Sequence, residues 1–160
     1  MKKLCLALPL LLLCCGCNRN SDLLPFLGKW LGRFEISEIQ GGGTAQDIKR
    51  ETLKGYVQVY ATSRSYKMEM EGEQEVINIT GTWTIKANRI TLTPKSIIID
   101  DKGGEDKRDP NKKFIASKDV REAYGRPLLL VESADKKSLT GLKITIGNLL
   151  GIHRFVKDSF

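Results

Sequence analysis

Short alternating segments at regular spacing predict an all-β fold: an antiparallel up-and-down barrel of eight or nine strands with one short helix, a β-sandwich being the alternative. Three observations carry this. Apolar and polar residues alternate with period two in at least four stretches. Turn-forming clusters separate them. The 143 residues after Cys17 contain no cysteine, so packing alone must hold a domain of that size.

The elements follow in order. The stretch GKWLGRFEISEI sets Trp30, Phe34 and Ile36 on one parity and Arg33, Glu35 and Ser37 on the other, the mark of a half-buried strand. Residues 40–49 contain Gly41, Gly42 and Gly43 and read as a flexible loop. Residues 55–62 form a second strand candidate. In SYKMEMEG, Tyr66, Met68 and Met70 alternate with Lys67, Glu69 and Glu71; in EVINITGTWTIK, Ile77, Ile79, Trp83 and Ile85 alternate with Asn78, Thr80, Thr82 and Thr84. Residues 86–89 read as a hairpin turn with Asn88 as its left-handed residue, leading into NRITLTP. Residues 95–100 read as a separate strand. The polar, glycine-bearing run KGGEDKRDPNKK is a loop. Residues 117–124 form the one helix, with Ser117 and Gly125 as its caps. Strands at 127–132, 138–146 and 151–157 complete the set, with a turn at 134–137.

The first residues, MKKLCLALPLLLLCCGCNRN, have a different character. Lys2 and Lys3 precede an apolar run from residue 4 to 13, the length of a signal-peptide core and too short to span a bilayer. Small residues then lead to Cys17. This segment resembles the lipobox of bacterial lipoproteins, although Cys14 stands where that family usually has leucine. The resemblance implies cleavage after Gly16, lipidation of Cys17 and anchoring by more than one acyl chain. It divides the chain into a signal peptide (1–16), a lipidated cysteine with tether (17–24) and a barrel domain (25–160). The expected location is extracytoplasmic and lipid-anchored. Asn18, which is not aspartate, favours the periplasmic face of the outer membrane in a double-membrane cell.

The formal charge of +7 falls to +5 once Lys2 and Lys3 are removed. The remaining bases are spread along the chain without arginine stripes or interleaved aromatics, which argues against nucleic acid as a partner. No constellation suggests catalysis. His153 is the single histidine. No serine lies in a nucleophile elbow. Glu69 and Glu71 share a face, as do Glu73 and Glu75, but on a strand and turn that read as solvated. Asp100, Asp101, Glu105, Asp106 and Asp109 lack the spacing of a calcium loop. The expectation is a non-enzyme with neither metal nor cofactor.

Two Gly-x-Trp units, Gly28-Lys29-Trp30 and Gly81-Thr82-Trp83, lie on strands with the indole facing inward. With the alternating strands they resemble the lipocalin-like superfamily, including small bacterial lipoproteins of that fold. The resemblance implies that Trp30 closes the barrel floor and that a late arginine, here Arg154, packs on its indole. No Thr-Asp-Tyr turn motif is present. An eight-stranded barrel can be filled by side chains or hold one small ligand. Trp30, Phe34, Tyr66, Met68, Met70, Ile79 and Trp83 are the candidate interior walls for a small apolar or amphipathic ligand, the methionines being adaptable lining. A non-enzymatic structural or interaction module of the cell envelope, docking on another envelope protein, is the alternative.

Overall fold

In a computed structural model the chain folds into a closed barrel of eight antiparallel strands in sequence order. The structure describes residues 23–45, 48–49, 52–72, 75–102 and 117–158. The expected signal peptide, Cys17 and most of the charged loop at 102–113 lie outside these residues.

A short 3-10 turn, Leu24–Phe26, leads into β1 (Gly28–Ile39). Then come β2 (Leu53–Tyr60), β3 (Ser65–Glu71), β4 (Glu75–Lys86) and β5 (Arg89–Asp101). Helix α1 (Ser117–Tyr124) precedes β6 (Leu128–Glu132), β7 (Ser138–Ile146) and β8 (Leu149–Lys157). The barrel closes where β1 pairs with β8, from Trp30↔Lys157 to Ile39↔Leu149. The ring of ladders and the core inside it therefore lie wholly within residues 26–157.

The alternation works as the sequence predicts. On β3, Tyr66, Met68 and Met70 are buried while their neighbours are half-buried or exposed. Of the expected eight or nine strands there are eight, because residues 95–100, read as a separate strand, continue β5. Pro94, which has no N–H to give to a ladder, sits at a bulge: Gly81 pairs with Pro94 and Thr80 with Ser96, skipping Lys95. The helix has the expected bounds, and Gly125 N–H donates to the Arg121 carbonyl at 2.9 Å to finish it. In the expected glycine loop, Gly41 and Gly42 have φ of 88° and 95°, and Ile48 N–H donates to the Thr44 carbonyl, a helical spacing.

The two Gly-x-Trp glycines serve different needs. Gly28 takes φ 103°, a conformation that side chains resist. Gly81 makes room: a Cβ there would lie 2.0 Å from the Thr93 carbonyl oxygen and 2.8 Å from the Tyr66 ring.

The two ends of the barrel are built differently. One end holds the β2–β3, β4–β5 and β6–β7 turns and is plugged by the 3-10 turn. There the Trp30 indole N–H donates to the Phe26 carbonyl at 3.0 Å, with both residues fully buried. The other end carries the longer connections, α1 and the two-residue β7–β8 turn. At this end the wall thins. β6 pairs with β5 only over Leu128–Val131, and with β7 only at Leu130, Val131 and Glu132. Beyond β6, α1 packs against the exposed halves of β5 and β7. Arg121 donates from Nη1 to the Ile97 carbonyl at 2.9 Å, occupying part of the unpaired β5 edge.

Candidate functional site

The structure brings all seven candidate wall residues into the interior. Trp30, Phe34, Tyr66, Met68, Met70, Ile79 and Trp83 are each no more than 4% exposed and belong to one core cluster. Burial raises the Tyr66 phenol above its ordinary pKa. The Trp83 indole N–H donates to the Tyr60 carbonyl at 3.0 Å.

The expected partner of Trp30 is corrected. Arg154 points outward, with Nε 2.6 Å from Glu35, and its side chain is half exposed. Lys157 takes the role: its ammonium lies 5.3 Å from the Trp30 ring and donates to the Pro25 carbonyl at 2.9 Å. Strand parity is the reason. His153, Phe155 and Lys157 share the inward side, and Lys157 is the register partner of Trp30. The hairpin expectation is corrected likewise. Ala87, with φ 54°, takes the left-handed position rather than Asn88.

A polar pair inside the barrel was not foreseen. His153, fully buried, sits in an aromatic box. It stacks on Phe155 at 5.6 Å between centroids and lies 5.1 Å from Phe34. Its Nε2 is 3.1 Å from the Tyr124 hydroxyl of α1. Nδ1 has no partner among the described residues. Burial pushes the imidazole pKa down to about 3, so the ring is neutral near pH 7. A neutral imidazole carries one N–H and the phenol one O–H, and a single bond joins them. Whichever tautomer forms, one donor hydrogen of the pair is left without an acceptor. The inward parity of His153 with Phe155 and the i,i+4 spacing of Val120 and Tyr124 were the sequence signs of this contact.

A groove of about 470 Å³ runs beside this pair, between α1, the start of β6 and the end of β7. Ala123 and Tyr124 line it from the helix side, and Leu128, Leu129, Leu142 and Ile144 from the strands. Leu142 is 57% exposed. Asp119, Glu122, Arg126, Lys143 and Thr145 contribute polar groups. None of the seven expected wall residues borders it. The groove exists because β6 is short: Lys143, Ile144, Thr145 and Ile146 pair with β8 and have no strand on their other side.

Of the four carboxylates singled out above, Glu69 and Glu71 are each held by a lysine, and Glu73 lies outside the described residues. Glu69 faces outward, 3.0 Å from Lys67 and 3.2 Å from the Tyr56 hydroxyl, and the hydrogen bond from Lys67 holds its pKa below the ordinary range. Glu71 pairs instead with Lys102. Among the described residues no three His, Cys, Asp or Glu side chains are placed to share a metal ion. Neither a protein-family model nor a curated protein sequence matches the chain.

Proposed function

We propose that this chain is a membrane-anchored extracytoplasmic lipoprotein, non-catalytic, whose barrel binds a small amphipathic molecule in the groove between α1 and β7. The groove carries this reading. Its volume lies within the range of small-molecule sites, and a lining that mixes leucine and isoleucine with charged side chains suits a ligand that is greasy at one end and polar at the other. The anchoring half rests on the lipobox resemblance at Gly16-Cys17.

Native mass spectrometry of the chain from Asn18 onward, extracted gently from the envelope, tests the binding half. The expected result is extra mass that denaturation releases as a small molecule, and that Leu142→Trp, which fills the groove, removes. A bare mass with no uptake from a membrane lipid extract would end the carrier reading. Anchoring is tested separately by labelling cells with an alkyne-tagged palmitate. Label should appear on the wild-type protein and be absent from Cys17→Ser.

The alternative, an interaction module of the envelope, is favoured by one observation: Trp30, Phe34 and Met70, on the barrel interior, have no exposed surface. Crosslinking in intact cells separates the readings, because a module gives a defined heteromeric product and a carrier gives monomer.

A further inference from the structure

We propose that the plugged end of the barrel is a docking face for an anionic phospholipid surface. Three turns meet at this end, and they carry Arg64, Lys86, Arg89, Lys136 and Lys137, all exposed. None of the five has an ion-pair partner among the described residues; the ion pairs present lie on the barrel wall or at the other end. Lys29, over the Tyr56 ring, and Lys157, bonded to the Pro25 carbonyl, lie beside the plug but are already engaged. The acids here are Glu132, Asp135 and Asp158. Glu132 is buried, and burial raises its pKa. Asp135 is engaged by the Ser133 hydroxyl and the Lys137 N–H, and it and Glu132 feel the charges of Lys137 and Lys136 without forming ion pairs with them.

Turn conformation points the same way. Arg64 and Lys136 take φ of 46° and 58°, a backbone region in which glycine or asparagine is the ordinary choice. At the opposite end the corresponding residues are Gly41, Gly42 and Gly147. Long, exposed basic side chains thus occupy left-handed turn positions at this rim. Apolar residues complete the face. Of the six large hydrophobic residues that are well exposed, Leu24, Tyr60, Leu31 and Val156 lie at or within three residues of this end, and Leu31 and Val156 are register partners. Unpaired bases around exposed leucine, valine and tyrosine match a bilayer interface, where cations meet lipid phosphate and apolar side chains enter the headgroup boundary. The described chain also begins here, at Leu23, so residues 18–22 join this end to Cys17. The contact goes beyond anchoring at Cys17 and can be read without the lipid.

The test uses the unlipidated chain from Asn18, which contains the whole ring of ladders and its core. Co-sedimentation is measured with vesicles of equal parts phosphatidylglycerol and phosphatidylcholine, and with phosphatidylcholine alone. Binding to the anionic vesicles is expected, with little to the neutral ones, and it should fall steeply when salt is raised to about 0.5 M. Arg89→Glu with Lys136→Glu and Lys137→Glu should abolish it, since each base near the surface changes partition about fivefold. A control, Lys54→Glu with Lys95→Glu and Lys118→Glu, makes the same change in net charge on the wall and α1 and should retain most of the binding. Equal loss in both triple variants, or no preference for anionic vesicles, overturns the docking face. Neither outcome touches the lipidation of Cys17, which palmitate labelling decides.

Discussion

The two ends of this barrel solve the same problem in opposite ways. At the plugged end, tight turns connect fully paired strands, and Phe26 and Trp30 seal the opening with buried aromatic surface. At the other end β6 stops early, the ladder fails between β5 and β7, and a two-turn helix covers the break through Val120, Tyr124 and Arg121. A continuous ladder satisfies its backbone groups cooperatively. A helix laid over a break holds by a few side-chain contacts and should open at lower free energy. Rigidity and any capacity to admit a ligand are therefore at opposite ends.

The largest effect should come from breaking the continuous wall. Gly81→Val places side-chain carbon where the Thr93 carbonyl and the Tyr66 ring already stand. Overpacking against backbone exceeds the ordinary range for core substitutions, and circular dichroism is expected to find no cooperative unfolding transition. Next is Trp30→Ala at the plug, with an expected loss of about 3–5 kcal/mol in urea unfolding. A loss below about 1 kcal/mol would show that the plug is not what seals this end.

A pH dependence belongs to the helix-covered side. The folded pKa of His153, about 3, lies below its unfolded value of 6.5. Between these values the unfolded chain binds more protons, so stability falls as pH drops from 6.5 toward 3, by at most about 1.4 kcal/mol per unit. Chemical denaturation of wild type and His153→Gln at pH 7.5 and 4.5 isolates this, because the carboxylates common to both cancel. The wild type should lose about 3 kcal/mol more than the variant over that interval. Equal losses would place the imidazole in contact with solvent.

The smallest effect sharpens the contrast. Tyr124→Phe removes the hydroxyl that meets His153 Nε2 and should cost about 1–2 kcal/mol globally. Hydrogen exchange should quicken first in α1, with β1 and β2 amides little changed. Uniform acceleration would mean that α1 unfolds only with the barrel.

Most of the wall was legible from parity. The residues expected inward, from Trp30 to Trp83, are inward, because a strand with one face buried has a fixed register. The same rule, carried to the last strand, assigns His153, Phe155 and Lys157 to the interior side and rules out Arg154 as the partner of Trp30. Pro94 resisted reading because a proline within an alternating run marks either a break or a bulge, and only the partner strand decides between them. The groove was not legible at all. It arises from where β6 ends relative to β7, a matter of pairing between segments and not of any pattern within one.

The pairing of β1 with β8 has a consequence in time as well as in space. Its register joins Trp30 to Lys157, so the ring cannot close before the last nine-residue strand is available. Contacts so distant along the chain form slowly, since the intervening loop entropy must be lost before they give any return. A chain emerging from its N-terminus has the plug and the first hairpins in hand but nothing to complete the core against. Until β8 arrives, β1 keeps an unpaired edge, the state in which a strand is most open to wrong partners.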